Sequence, residues 1–327
     1  MTIATDNPAA IGIFDDHASA ARSTTRPLRT DVIDTADAFA ALRDEWTTLI
    51  EAARGHPTAF LNHGFLATWF TYFSGHRPGA WAARLITVRE AGRLVLAWPL
   101  AIEPYPVKTL RWMGEPISQY GDALIACDGD AAAWVDAAWT KIRALRGIDV
   151  IDLARVREDA AIAPFLADKL SPLGTALEAP YLDLTGLASE NDLMEAMRSK
   201  SRRELRRKIK KLEAIGDITV EALDPGLDCA SMTAKGLGFK RLWLDDLGLT
   251  SRVFADPRAL RLLNDLARTD NDSGFVAIAL KVNGHPVAIE LGLRRGTRYM
   301  AYLGSYNPAY AIHSPGTVQM ARMIGWA

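Results

Sequence analysis

Three short apolar segments in residues 274–305 are joined by two tight turns, and this arrangement leaves few alternatives for the fold. The segments GFVAIALKV, HPVAIELGLR and TRYMAYLGS flank the dipeptides Asn283-Gly284 and Arg295-Gly296. Asn-Gly between alternating apolar residues is the strongest short-range signal for a β-hairpin. The sequence therefore predicts a three-stranded antiparallel meander.

The register of this meander predicts which side chains share a face, because two-residue turns fix strand pairing. Ile278 and Ile289 are expected on the core face. Glu290 is expected on the opposite face, between Ala277 and Ala301. A carboxylate among small residues has room beside it, which suits a general base or an anchor for a substrate amine. The alternative is a structural glutamate paired with Lys or Arg from a covering helix.

The segment Ser314-Pro315-Gly316-Thr317 follows the meander and has the pattern of a helix start, with Ser314 at the N-cap and Pro315 at the first helical position. A helix start leaves backbone N–H groups unpaired, and its dipole favours anions. Gly316 would let a phosphate approach the backbone closely. An anion site and an ordinary capped helix both remain possible interpretations of this segment.

Residues 198–211 concentrate positive charge in a protein whose net charge is only −1. The run contains nine Lys and Arg and one Glu. Apolar residues in and around it recur every three or four positions, which predicts a single amphipathic helix. We call the apolar positions of this helix its seam: Leu193, Met197, Leu205, Ile209 and Leu212. The seam lacks the aromatic residues typical of single-strand nucleic-acid binding or of a membrane-surface helix.

This basic helix is therefore expected to pack on a sheet by its seam. Its outer face either attracts an anion or is simply solvated. The candidate anion-binding residues are Arg202, Arg203, Arg206 and Arg207.

The order of predicted elements indicates two lobes. Residues 1–27 are expected to form a flexible tail, residues 28–185 a mixed α/β lobe ending in the strand PYLDL (180–184), and residues 186–327 a second lobe. No segment has the length and apolarity of a membrane span or the pattern of a signal peptide. Two distant cysteines and scattered histidines show no metal-ligand spacing, so no metal is expected and a cytoplasmic location is the default.

Several motifs occur in an order that resembles a known family. They are PYLDL, the basic helix of the form R-R-x-L-R-R, FKRLW (239–243), the meander, and YLGSYNPAYAIHSPGT. Together they resemble the BioF2-like, or CelD (BcsL)-type, acetyltransferases of the GNAT superfamily, which are related to the Fem-type aminoacyl transferases. The resemblance covers residues from about 38 to the end of the sequence.

The resemblance implies an α+β fold with two GNAT-like lobes, each a mixed, mainly antiparallel sheet covered by helices. It implies that the second lobe binds acetyl-CoA, or another acyl-CoA, without a metal. Glu290 would be the general base, and Tyr306 would line the acceptor or thioester site. The remaining donor-binding positions would be Leu303 and Ser305 along the pantetheine, and Ser314, Gly316 and Thr317 at the pyrophosphate. A further strand, helix and closing strands are expected after residue 327, so the second lobe is expected to be truncated.

The expected function is acyl-CoA-dependent N-acylation of an amine on a small molecule or on an envelope or exopolysaccharide precursor. Two alternatives stay open. One is a Fem-like transferase that uses aminoacyl-tRNA, and the other is a non-catalytic module that binds RNA or protein through the basic helix 198–211.

Overall fold

The computed structural model describes residues 27–75, 79–187 and 189–326, so nearly all of the predicted tail 1–27 lies outside the described residues. We call residues 27–187 the N-terminal part and residues 189–326 the C-terminal part. The N-terminal part contains these strands and helices: β1 Leu28–Ile33, α1 Ala36–Ala40, α2 Arg43–Glu51, α3 His63–Phe73, β2 Ala82–Ala83, β3 Leu85–Glu90, β4 Arg93–Trp98, β5 Leu100–Glu103, β6 Thr109–Trp112, β7 Leu124–Ile125, α4 Ala131–Arg143, β8 Val150–Ile151 and α5 Ala163–Leu166.

The strands of the N-terminal part form two four-stranded sheets rather than one, in the orders β1-β3-β4-β7 and β2-β5-β6-β8. All pairs are antiparallel except β6 with β8. The change of sheet between β4 and β5 occurs at Pro99, which has no N–H to continue a ladder. The core of this part is built from large aromatic side chains that are fully buried, including Trp46, Trp69, Trp98 and Trp134.

The C-terminal part is organised around one antiparallel sheet in the order β12-β11-β10-β9. Its elements are α6 Glu190–Ala196, α7 Ser199–Glu213, β9 Ile218–Leu223, α8 Leu227–Asp246, α9 Arg252–Ala255, α10 Pro257–Arg268, β10 Phe275–Val282, β11 His285–Arg295, β12 Arg298–Tyr306, a 3-10 turn Pro308–His313, and α11 Pro315–Ile324. Helices α8 and α10 cover one face of the sheet, and α7 and α11 cover the other.

The basic segment is a helix, as predicted, but the expected single helix from Leu193 is wrong. Met197 is extended, with φ −76° and ψ 150°, and it separates α6 from α7. The seam residues Leu205, Ile209 and Leu212 are buried against β10, β11 and α11, which confirms the packing expected for the second part of the seam. The strand expected at residues 180–184 is absent, since this segment is neither a strand nor paired in a sheet.

The two parts share one hydrophobic core and several polar contacts. Asn62 donates to the Ser273 carbonyl at 2.9 Å, and Gln119 donates to the Tyr302 carbonyl at 3.2 Å. Gly64 approaches the other part so closely that an added Cβ would lie 1.7 Å from the Asn271 carbonyl oxygen. The α+β class with mainly antiparallel, helix-covered sheets is therefore confirmed, whereas the boundary at residue 185 stays a prediction. Within the described residues no helix has the length and apolarity needed to cross a membrane.

Candidate functional site

The register of the meander differs from the prediction and gives Glu290 different neighbours. Glu290 pairs with Ile278 on β10 and with Gly304 on β12, and not with Ala277 and Ala301. Pairing shifts between Leu280 and Lys281 on β10 and between Leu291 and Gly292 on β11. Such bulges place an extra residue in one strand, so side chains beyond them change partner. The predicted room beside Glu290 exists, but Gly304 provides it.

Gly304 allows the Glu290 carboxylate to lie across strand β12. A Cβ added at residue 304 would lie 2.7 Å from Oε2 of Glu290, closer than carbon and oxygen can pack. The position therefore requires a residue without a side chain if the carboxylate is to keep this conformation. The side chain of Glu290 itself is 5% exposed.

A cavity of about 190 Å³ opens next to Glu290, between β12 and α11. Four of the predicted site residues line it, namely Glu290, Ser305, Tyr306 and Gly316. Gly304 also lines it, and so do three residues that the sequence reasoning missed, which lie on one face of α11: Gln319, Met320 and Met323. They follow Gly316 by three, four and seven residues, the spacing of one helix face, which was visible in the sequence and could have identified them. The amide of Gln319 is held in place because it donates to the Ile278 carbonyl at 2.7 Å.

Burial changes the acid strength of the carboxylate in this cavity. Desolvation raises the pKa of Glu290 from its ordinary value of 4.5 to about 7. The backbone N–H groups of Tyr302 and Leu303 and the charge of Lys240 act in the opposite direction and favour the ionised form. A carboxyl group that titrates near neutral pH can both accept and release a proton under ordinary conditions, which suits general acid–base chemistry.

The side chains of Leu303 and Ser305 lie on the α8 face of the sheet, and their predicted contact with a donor molecule stays a prediction. Leu303 is buried in the core on the α8 face of the sheet. The Ser305 hydroxyl donates to the Ile289 carbonyl at 3.3 Å, so Ser305 contributes to the cavity without a free hydroxyl. Any contact of these two residues with a donor molecule would have to come from their backbone.

The start of α11 lies at the rim of the cavity. Ser314 occupies the N-cap position, as predicted, but it is left-handed (φ 55°, ψ 48°) and its side chain makes no capping hydrogen bond. A left-handed backbone is uncommon for a residue with a side chain. A Cβ added at Gly316 would contact only Tyr306, at 3.8 Å, so the backbone there is open. Thr317 is exposed outside the cavity and accepts a hydrogen bond from Lys208 of α7 at 3.4 Å.

The basic helix lies beside this helix start, because α7 packs against α11. Arg203, Arg206 and Arg207 point to solvent. Arg202 is half-buried and donates to the Met194 carbonyl at 3.5 Å. Arg and Lys side chains thus dominate the outer face of α7 next to the cavity rim, although exposed Glu204 lies among them and pairs with Lys208 at 3.3 Å. Across the described ranges, no three His, Cys, Asp or Glu side chains cluster in a way that could hold a metal ion.

Comparison with known proteins shows what the C-terminal part is similar to. Residues 199–327 match the family described as Acetyltransferase (GNAT) domain. This segment is similar to the GNAT-type acetyltransferase domain. The match includes α7, the meander and α11, and so contains every residue that lines the cavity. A comparison with curated proteins found no match.

Solved structures are similar over most of the chain. A crystal structure of FemX has a TM-score of 0.53 at 10% identity, covering 87% of this chain and 84% of that one. This likeness shows a shared fold alone. Two further structures score lower. A conserved protein of unknown function from Bacteroides thetaiotaomicron VPI-5482 has a TM-score of 0.48 at 11% identity, with 90% and 87% of the two chains covered. A tandem GNAT protein from the clavulanic acid biosynthesis pathway has 0.41 at 14% identity, with 92% and 85% covered.

Proposed function

We propose that this protein is an acyl-CoA-dependent N-acyltransferase that uses acetyl-CoA as its donor and Glu290 as its general base. One observation supports this above the others. A buried carboxylate that titrates near neutral pH lines a cavity, and the open start of α11 lies at the rim of the same cavity. The domain match supports the reaction class independently of that geometry.

The residues around the cavity fit such a donor. The N-terminus of α11 offers its dipole and the open backbone at Gly316 to a diphosphate, and Lys208 adds a positive charge beside Thr317. Acyl-CoA would supply a thioester whose C–S bond breaks as the new C–N bond forms, with release of the CoA thiol. Tyr306 lines the cavity between this helix start and Glu290, where it can position the reacting groups.

Glu290 has a defined task in this scheme. An acceptor amine must lose one proton when it becomes an amide, and a carboxylate within the cavity can accept that proton. A pKa of about 7 means that a substantial fraction of Glu290 is ionised at neutral pH while its basicity is much greater than that of an exposed glutamate. We assign the acceptor to the amines of small molecules or envelope polysaccharide precursors, in a BioF2-like or CelD-type role in the cytoplasm.

The test is an acyl-transfer assay that measures thiol release from acetyl-CoA with a panel of amines. We expect Glu290→Gln to lower kcat/KM by roughly 10²- to 10⁴-fold, the usual contribution of general base catalysis. Glu221→Gln is the matched control, because Glu221 is an exposed carboxylate on β9 that pairs with Lys281. Full activity in the Glu290→Gln variant would remove Glu290 from the mechanism. Absence of acyl transfer with every amine tested would count against the proposed function itself.

The cationic face of α7 favours a second candidate. The fold shared with FemX and the exposed Arg203, Arg206 and Arg207, with Arg202 beside them, are compatible with a Fem-like transferase that takes an aminoacyl group from tRNA. Phosphate contacts make nucleic-acid binding fall steeply with salt. A tRNA affinity that declines over several decades between 50 and 200 mM salt would favour this candidate, and an affinity without any acyl transfer would favour a non-catalytic binding module.

A further inference from the structure

Strand β12 has one irregular position near the cavity. In its pairing with β11, Ala301 lies opposite Gly292 and Leu303 lies opposite Leu291. Tyr302 falls between them and is the extra residue of a β-bulge. Among the described residues, β12 is also the edge strand of its sheet. Because backbone groups that a ladder does not pair need other partners, the conformation of Tyr302 depends on contacts from outside this ladder.

The bulge carries the backbone donors that hold the Glu290 carboxylate. The N–H groups of Tyr302 and Leu303 donate to this carboxylate. Oε2 of Glu290 lies over the next residue, since a Cβ added at Gly304 would be 2.7 Å from it. The carboxylate therefore lies along three consecutive residues of β12, and a movement of the bulge would move both of its backbone donors.

The N-terminal part of the protein holds the bulge through Tyr302. The amide of Gln119 donates to the Tyr302 carbonyl at 3.2 Å. The buried ring of Phe60 meets the ring of Tyr302 edge-on, with centroids 6.2 Å apart. Both contacts come from outside residues 199–327, the segment similar to the acetyltransferase domain. One peptide group of β12 is thus followed on one side by the donors of Glu290 and is held on the other by Gln119.

The loop that carries Gln119 is itself fixed on both sides of this residue. Arg155 donates to the Ser118 carbonyl at 3.0 Å, and the Ser118 hydroxyl donates to the Tyr120 carbonyl at 2.7 Å. The N–H of Gly121 donates to the Arg155 carbonyl at 3.2 Å. A side chain on a backbone that is held in this way can keep its acceptor in a defined place.

We propose that Gln119 is a positioning residue that acts on Glu290 through the β12 bulge, so that the N-terminal part sets the geometry of the proton acceptor in the C-terminal part. This assignment rests on the proposed function for its catalytic meaning. Displacement of a reacting group by about 1 Å can cost roughly a hundredfold in rate, so a hydrogen bond that fixes the bulge matters for proton transfer even though Gln119 does not line the cavity.

The experiment follows the side-chain carboxyl of Glu290 by NMR in protein labelled with ¹³C-glutamate, and the Glu290→Gln variant identifies the signal by its disappearance. The titration midpoint is compared in the wild type, Gln119→Met and Gln119→Asn. Methionine removes the amide without changing charge or length much, and asparagine keeps an amide that is one carbon short of the Tyr302 carbonyl. The matched control is Asn271→Leu, which removes another amide hydrogen bond between the two parts, the 2.9 Å bond to the Thr68 hydroxyl.

We expect the midpoint of Glu290 to rise by about 0.5 to 1 pH unit in Gln119→Met, because backbone N–H donors favour the ionised carboxylate and the loosened bulge holds them less well. It should also rise in Gln119→Asn, which gives the answer if Gln119→Met does not fold. It should keep the wild-type value in Asn271→Leu. Where acyl transfer is measurable, kcat/KM below the midpoint should fall roughly tenfold for each pH unit of rise.

Two results would overturn the proposal. One is a wild-type midpoint in the Gln119 variants that fold. The other is an equal rise in Asn271→Leu, because the effect would then come from a general loosening of the two parts. The titration requires neither donor nor acceptor, so it gives an answer even if no acyl transfer is found.

Discussion

Replacing Glu290 by glutamine should change how the stability of the protein depends on pH. Burial raises the pKa of Glu290 from 4.5 to about 7, so the folded state binds this proton more tightly than the unfolded state does. The stability that the protonated carboxyl contributes is complete below about pH 4.5. It is lost as the pH rises through 7.

The magnitude follows from the two pKa values. Between pH 5 and pH 8 the wild type should lose about 2.5 kcal/mol of unfolding free energy through this one group, at about 1.4 kcal/mol per unit of pKa difference. No discount for solvent screening is needed, since only 5% of Glu290 is exposed. Glutamine has nearly the same shape and does not titrate, so the variant avoids this loss.

The assay is urea unfolding of both proteins at pH 5 and pH 8. The difference in unfolding free energy, variant minus wild type, should increase by about 2.5 kcal/mol from pH 5 to pH 8. Other buried carboxyls, such as Asp122 with its pKa of about 6, titrate in both proteins and cancel in this difference. A difference that stays constant to within about 0.5 kcal/mol would refute the reasoning, because the carboxyl would then be as well solvated in the folded protein as in the unfolded chain.

Two further predictions test the packing on which the site depends, both by urea unfolding. Leu212→Ala should lower the free energy of unfolding by about 2–5 kcal/mol, because Leu212 is fully buried between α7 and the sheet. Arg207→Ala, on the exposed face of the same helix, is the control and should change the free energy of unfolding by less than about 0.5 kcal/mol. Gly64→Ala should lower the free energy of unfolding by at least about 1–3 kcal/mol. Its methyl group would lie 1.7 Å from the Asn271 carbonyl oxygen and push the two parts of the protein apart. Wild-type stability in this variant would contradict the close approach.

The meander shows which features of the fold were predictable. Asn283-Gly284 and Arg295-Gly296 located the three strands correctly, because local turn chemistry and alternation determine where hairpins form. The register was wrong for two reasons. Arg295 pairs with Arg298, so the second turn lies at Gly296 and Thr297, one residue later than expected. Bulges on β10 and β11 then shift the pairing further, and they leave no mark in the alternation of apolar residues. The break at Met197 was missed for a similar reason, since the apolar spacing runs through it without interruption.

The candidate site was predictable only in part. Glu290 stood out as a mid-strand carboxylate, and the structure places it with Tyr306 and Gly316 at one cavity. Gln319 was missed because it comes from the helix that follows the meander, and tertiary packing brings it to the same cavity as Glu290. Leu303 and Ser305 were assigned from the resemblance, and alternation along β12 turns their side chains to the opposite face.

Glu290 differs physically from a buried carboxylate that supports the fold. Asp122 also has a raised pKa, but its oxygens accept backbone hydrogen bonds from Ala123, Ala161 and Ile162 at 2.7, 3.0 and 3.0 Å and thereby hold two loops together. Glu290 also accepts backbone hydrogen bonds, from Tyr302 and Leu303, and like Asp122 it destabilises the folded protein as the pH rises, but it borders an open cavity next to the start of α11. A fold that needed only a polar side chain at this position would be more stable with glutamine at neutral pH, and this is the stability cost that the proposed role of Glu290 in proton transfer predicts.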